Sequence, residues 1–159
     1  MADDAGNRLA DSADAVHPPA IMAHFLQIYR YLNRYSRTIT REFGISGRQL
    51  SALRYLSRSS GATIGELSDY LYVSDSSTSE LVDKLEERGL VLRTRCARDN
   101  RVVRLSLTPP GESLVARAPL AGISLMRQRL ESLPEEELAS IAHVLELLAK
   151  LLGVDEIPL

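Results

Sequence analysis

The sequence has one cysteine, Cys96, and no tryptophan among 159 residues. A lone cysteine excludes an internal disulfide and a cysteine-rich zinc site. Aromatic residues make up only 5% of the chain, so the core must come from leucine, isoleucine, valine and alanine, a palette that favours helices. No apolar run approaches the roughly 20 residues that span a bilayer. The N-terminus, MADDAGNRLADSADAVHPP, lacks a basic region followed by an apolar stretch and does not read as a signal peptide; a cytoplasmic protein is expected. His17, His24 and His143 are scattered, without metal-ligand spacing to a cysteine or carboxylate. There is no G-x-S-x-G, no P-loop and no G-x-G-x-x-G. The cluster Glu135-Glu136-Glu137 reads as the first turn of a helix, where the dipole favours acids, rather than as a catalytic site. No enzyme activity and no cofactor or metal are expected.

What is present is strongly segregated charge. The net charge is -2, yet residues 28–58 carry seven arginines and one acid, Glu42. Residues 84–104 carry seven basic side chains against three acids, and from Leu130 onward seven acids face only Lys150. Local fields steer a polyanion, not the average. The middle of the chain suits DNA and the ends do not.

Residues 1–17 are polar and acidic and are expected to form a disordered tail; residues 18–159 are expected to be one domain. A long helix is predicted over 20–43, with Ile21, Phe25, Ile28, Leu32, Tyr35 and Ile39 at alternating spacings of four and three, a heptad seam. Arg30, Arg34, Arg37 and Arg41 stripe another face, and Gly44 supplies the stop. Three short helices follow. The first covers about 46–57. The second opens on the capping box Thr63-Ile64-Gly65-Glu66 and ends near Leu71. The third opens at Ser74, carries Leu81, Val82 and Leu85 on one face, and closes at Gly89. The period then changes to two, so residues 90–95 and 102–107 read as antiparallel strands joined by a polar, basic turn. Thr108, with Pro109 behind it, caps a helix expected to run to about Glu131. Pro119 falls inside that stretch and predicts a kink or restart. After Leu133-Pro134 a last helix carries Leu138, Ile141, Leu145, Leu148 and Leu152, a second seam.

The order is three short helices, then a two-stranded hairpin, bracketed by long helices. It predicts a mainly α fold with a small β-hairpin wing: a winged helix-turn-helix lobe at 44–108 flanked by dimerisation helices at 18–43 and 109–159. This arrangement puts one helix in a major groove and a hairpin beside a minor groove. The polar start of the third short helix, Ser74-Asp75-Ser76-Ser77-Thr78-Ser79-Glu80, propagates a helix poorly but suits capping and hydrogen bonds to phosphates and base edges. In isolation such a turn is only a cap; beside a basic hairpin it reads as a DNA-contacting segment. At the hairpin tip Arg98 and Arg101 flank Asp99. The arginines suit the negative potential of a narrow minor groove, and Asp99 would pair with Arg95 or Arg101 to hold the tip in shape. The candidate DNA contacts are Ser74, Ser76, Ser77, Ser79, Lys84, Arg95, Arg98, Asp99 and Arg101.

These motifs resemble the multiple-antibiotic-resistance regulator (MarR) family. Matching stretches are Ile64-Gly65-Glu66-Leu67-Ser68, the run from Asp75 to Val91, the wing motif Arg98-Asp99-Asn100-Arg101, and Leu105-Ser106-Leu107-Thr108-Pro109-Pro110-Gly111. The resemblance covers nearly everything beyond the tail. It implies a homodimer with intertwined terminal helices, acting as a repressor on a pseudo-palindromic DNA operator, and release by small anionic aromatic ligands or by cysteine oxidation. Carried over by position, Asp99 and Arg101 look like the family's wing motif and Ser74 to Ser79 like its base-reading segment. Position 80 departs from the pattern: it is often basic in relatives and here is Glu80, which repels phosphate unless it accepts from a cytosine amine.

The lobe has its own core candidates in Leu50, Leu53, Leu56, Leu67, Leu71, Leu81, Leu85 and Leu90. The two seams must therefore bury their faces elsewhere, and a second subunit is expected to meet Ile21, Phe25, Ile28, Leu138, Ile141, Leu145 and Leu148. The crevice between the first helix and the lobe is a candidate site for a small aromatic carboxylate, held by Tyr31, Arg34 and Tyr35 with tyrosines from the lobe opposite; the plainer reading is that these tyrosines pack the helix on the lobe while the arginines face DNA or solvent. Cys96 stands near Arg93, Arg95 and Arg98, charges that favour a thiolate; an inert strand residue is the plainer reading. The alternative function is a winged-helix protein-interaction module that has lost DNA binding, which Glu80 would suit.

Overall fold

The computed structural model describes residues 17–96 and 102–154. Seven helices and one hairpin follow in the order α1 (Pro18–Phe43), α2 (Gly47–Arg58), α3 (Ile64–Leu71), α4 (Asp75–Glu87), β1 (Val91–Arg95), β2 (Val103–Leu107), α5 (Pro109–Arg117), α6 (Gly122–Leu130) and α7 (Glu135–Leu152).

Local chemistry sets most of these boundaries. Pro18 and Pro19 occupy the first positions of α1, where an absent N–H costs nothing, and Gly44 closes the helix in the left-handed region. Ser46 and Gln49 form a capping box on α2, and Thr63 and Glu66 form another on α3. The carboxylate of Glu66 accepts from the Thr63 backbone N–H (2.7 Å) and from its hydroxyl (3.0 Å). These hydrogen bonds hold Glu66 below the usual carboxylate range. The Ser74 hydroxyl accepts from the Ser77 N–H at the start of α4, and Thr108 does the same for Gly111 at the start of α5.

The core is the lobe. Ile45, Leu50, Leu53, Leu56, Leu67, Val82, Leu85, Val91 and Leu105 are buried together, and Ile39 near the end of α1 joins them. In the hairpin, Val91 faces Leu107 and Arg95 faces Val103. A bridge from Ala62 to Leu105 ties the hairpin root to the segment before α3. The Gly61 N–H donates to the Leu105 carbonyl at 2.8 Å and the Leu105 N–H to the Ala62 carbonyl at 2.7 Å.

The stretch after the wing departs from the sequence expectation. The single helix expected from Thr108 to Glu131 is two helices. Ala118 takes an extended conformation (ψ 134°), as a residue before proline must. The chain resumes as α6 only at Gly122, whose φ is +61°. A Cβ there would stand 2.4 Å from the Tyr35 ring, so the restart needs glycine twice over, for backbone and for space. Helix α5 packs against α2 and β2, with Leu114 buried. It sits on the lobe rather than among the flanking helices where the sequence reading placed it.

Arg54 of α2 enters this break with only 6% of its surface exposed. Its Nη2 donates to the carbonyls of Ala118 (3.0 Å) and Pro119 (2.8 Å), and the Tyr35 hydroxyl donates to Pro119 as well (3.1 Å). The guanidinium takes over carbonyls that an unbroken helix would have satisfied itself. Burial pushes the Tyr35 phenol above its ordinary value, and the nearby Arg54 charge works in the opposite direction.

The first seam splits between two environments. Tyr35 and Ile39 pack on the lobe, whereas Ile21, Phe25 and Ile28 are exposed. Helix α7 has no buried residue at all; Ile141 and Leu145 are exposed, and Leu138 and Leu148 half-buried. Among the described residues no helix is long and apolar enough to cross a membrane.

Candidate nucleic-acid interface

Helices α3 and α4 meet at a sharp turn. Tyr72 ends α3 with φ 54°, the one non-glycine positive φ among the described residues. Tyrosine there carries a backbone strain of about 1 kcal/mol or more, held by what surrounds it. The turn aims α4 so that Thr78, Leu81, Val82 and Leu85 enter the core. Ser76, Ser77, Glu80, Asp83, Lys84 and Glu87 are left on the outer face.

At the start of α4 the hydroxyls form a small network. Ser74 Oγ lies 3.0 Å from both Ser76 Oγ and Ser77 Oγ. Asp75 is drawn back toward α3 by a short hydrogen bond from the Ser68 hydroxyl. Ser74, Ser76 and Ser77 are exposed and Ser79 is half-buried. Lys84 shares the outer face two turns beyond Ser76 and Ser77. Arg95 is exposed near the described end of β1. The expected tip residues Arg98, Asp99 and Arg101 lie outside the described residues.

Arg93 has a role that sequence reading missed. From β1 its Nη1 reaches Asp83 and Glu86 (2.8 Å) of α4, and its Nη2 donates to the Ser79 carbonyl (3.3 Å). Partial burial works against this charge, but the two carboxylates outweigh it and its pKa is raised. The contacts fasten wing to helix and offset one of the two negative charges of Asp83 and Glu86. Acids three apart on α4 were visible in the sequence; which of the nearby arginines would meet them was not. Arg88 is likewise engaged within the chain, at the surface, donating to the carbonyls of Phe43 (3.3 Å) and Gly44 at the end of α1.

A groove of about 630 Å³ runs between α1, α2, α6 and the α3–α4 turn, lined by Tyr35, Arg48, Tyr70, Tyr72, Met126 and Arg127 among others. Of the three residues expected to hold a ligand, Tyr35 lines it; Tyr31 and Arg34 do not. Arg34 lies on another face of α1, in a shallow depression with Arg30, Arg37 and Arg41. The Tyr31 hydroxyl accepts from the Gly122 N–H at 3.0 Å. Arg34 and Tyr35 are offset by about 100° around α1, and of the two only Tyr35 lines the groove. The cations in the groove are Arg48 and Arg127. The Arg127 guanidinium sits 3.8 Å over the Tyr70 ring and 5.5 Å from that of Tyr72, and donates to the Tyr70 carbonyl at 2.8 Å. Tyr55 stacks on Tyr70 at 4.4 Å. Cys96 is half-buried beyond the end of β1, its N–H donating to the Val102 carbonyl at 2.9 Å.

Known proteins resemble this chain in sequence and in fold. The model of the MarR family matches residues 43–101. The uncharacterized HTH-type transcriptional regulator YsmB of Bacillus subtilis is 31% identical over 123 residues, which cover 77% of this chain and 84% of that protein. The homoprotocatechuate degradative operon repressor of Escherichia coli is 27% identical over 70% of this chain and 76% of its own length. Among solved structures, the transcriptional regulator BldR from Sulfolobus solfataricus aligns with a TM-score of 0.56 at 26% identity, covering 84% of this chain and 92% of that one. A mutant MarR from E. coli complexed with operator DNA aligns with a TM-score of 0.58 at 21% identity, covering 80% and 92%.

Proposed function

This chain belongs to the MarR family, and from that premise we propose that it is a transcription repressor that binds a pseudo-palindromic DNA operator as a homodimer and releases it on binding a small anionic aromatic ligand. The observation that carries the reading is the outer face of α4. A core-anchored helix presents a hydroxyl-rich first turn, with a hairpin clamped beside it by Arg93. That is the geometry of a helix entering a major groove with a wing alongside. The DNA-bound MarR structure among the similar folds supports the same partner.

The proposed division of labour follows from the chemistry of each side chain. Ser76, Ser77 and Ser79 contact base edges; Ser74 caps the helix and contacts phosphate; Lys84, Arg95, Arg98 and Arg101 contact phosphate or the minor groove, with Asp99 shaping the tip. Homodimerisation is supported by the apolar residues that the single chain leaves in water: Ile21, Phe25 and Ile28 on α1, and Ile141 and Leu145 on α7. Leu138 and Leu148 on α7 are half-buried beside them, and rows of exposed apolar side chains of this kind mark an interaction surface. Ligand response is supported by the groove, with Arg48 and Arg127 taking the carboxylate in place of Arg34, and with Tyr35, Tyr70 and Tyr72 as aromatic walls.

In vitro selection from random duplex DNA tests the reading directly. The expected result is an enriched site with two inverted half-sites about one helical turn, roughly 10 bp, apart. A protein-interaction module without DNA binding would enrich nothing and would shift no duplex even at low salt.

A further inference from the structure

A carboxylate stands at the centre of the outer face of α4. Ser76 and Ser77 lie one turn before Glu80, and Asp83 and Lys84 one turn after it, so the five side chains share one surface. The other acids of this helix are engaged or distant. Asp75 is held by the Ser68 hydroxyl, and Asp83 and Glu86 are held by Arg93. Glu87 is the last residue of the helix. Glu80 is exposed and makes no ion pair among the described residues. It cannot turn inward, because Leu81, Val82 and Leu85 fill that side.

An ionised carboxylate only accepts hydrogen bonds. Against a DNA duplex it is repelled by phosphates, by guanine N7 and O6, by adenine N7 and by thymine O4. The donors a major groove offers are the amines of cytosine and adenine, and only cytosine presents its amine without an acceptor beside it on the same base. The geometry points to Glu80 as a specificity-determining residue that accepts from the N4 amine of a cytosine in each operator half-site. This rests on the DNA-binding reading above. The work of Glu80 is rejection: guanine and thymine leave the carboxylate facing acceptors, and adenine offers its amine only beside the N7 acceptor. Together with Lys84, Arg93 balances the two charges of Asp83 and Glu86, which leaves Glu80 as the uncompensated acid at the centre of this face.

The test is selection from random duplex with the full-length parent, Glu80→Gln and Glu80→Ala, followed by competition binding of single-base variants of the parent's site at one salt concentration. The parent should fix cytosine at one position of each half-site. Both variants should lose that preference by about 5- to 150-fold, the value of one good base contact, and keep the rest of the site. Glu80→Gln should gain adenine there, and both should bind non-operator duplex more tightly because a negative charge is gone. Circular dichroism should show unchanged folding, since Glu80 packs against nothing. If Glu80→Ala keeps the same cytosine with the parent's discrimination, or if the parent's site has no fixed cytosine, the role assigned to Glu80 is wrong while DNA binding stands. If the parent enriches no site, the DNA-binding reading falls and takes this one with it.

Discussion

Gly111 shows how closely α5 runs past the root of the wing. A Cβ at this position would stand 2.2 Å from the Leu90 carbonyl oxygen, and a backbone atom cannot step aside as a side-chain tip can. Gly111→Ala should destabilise the lobe by about 1–3 kcal/mol, the ordinary cost of overpacking. The measurement is the urea midpoint, which should fall with little change in slope; an unmoved midpoint would mean that α5 is free to shift. Glu66 carries a pH prediction instead. Its folded pKa is lowered by the Thr63 N–H and hydroxyl, so it contributes stability above its unfolded pKa and loses it as pH falls through the folded value. Thermal melts of the parent from neutral to acid pH should show this loss, and Glu66→Gln should remove its share of the slope.

Among the elements, the contact between α6 and the turn of α3 and α4 links the flanking helices to the helices proposed to face DNA. Arg127 is its polar part, covering Tyr70, reaching Tyr72 and donating to the Tyr70 carbonyl. Tyr72 is 76% exposed in a left-handed conformation, so little else holds its ring. A cation–π contact of this kind is worth about 0.5–2 kcal/mol. Arg127→Ala should weaken operator binding several-fold without changing the salt slope, because Arg127 touches no phosphate; Arg98→Ala or Arg101→Ala in the wing should flatten that slope by about one unit each. A flattened slope in Arg127→Ala would place its guanidinium on DNA and sink the strut interpretation.

For the molecule as a whole the decisive surface is α7. Leu145 is 58% exposed in the single chain, so Leu145→Asp has nothing to disrupt in a monomer. Across a subunit interface it would bury an unpaired carboxylate, which is costly. The expected outcome is a folded monomer by light scattering with operator affinity lost. A stable dimer carrying this substitution would show that the helix faces water. The ligand reading is tested by calorimetry with salicylate-like anions against the parent, Arg127→Ala and Tyr35→Ala. Binding that fails at millimolar concentration, or that leaves operator affinity untouched, would end it, since a ligand shifts only an equilibrium whose two states it distinguishes.

Caps, periods and breaks were legible in the amino-acid order because they are set by neighbours. Thr63 with Glu66, Ser74 with Ser77, and Thr108 with Gly111 join residues three apart, and the change of period after Gly89 needs no distant partner. Pro119 announced an interruption by its own geometry. How that interruption is repaired came only from the tertiary structure: Arg54 reaches Ala118 across 64 positions of sequence and Tyr31 meets Gly122 across 91. The place of Arg127 in the groove was invisible for the same reason, because it meets Tyr70 across 57 positions, while Arg34 was nearer in sequence and on the wrong face. Capping and periodicity depend on the few torsions between adjacent turns. The fate of an arginine — clamp, strut or free charge — depends on which carboxylates, carbonyls and rings the fold happens to bring within its reach.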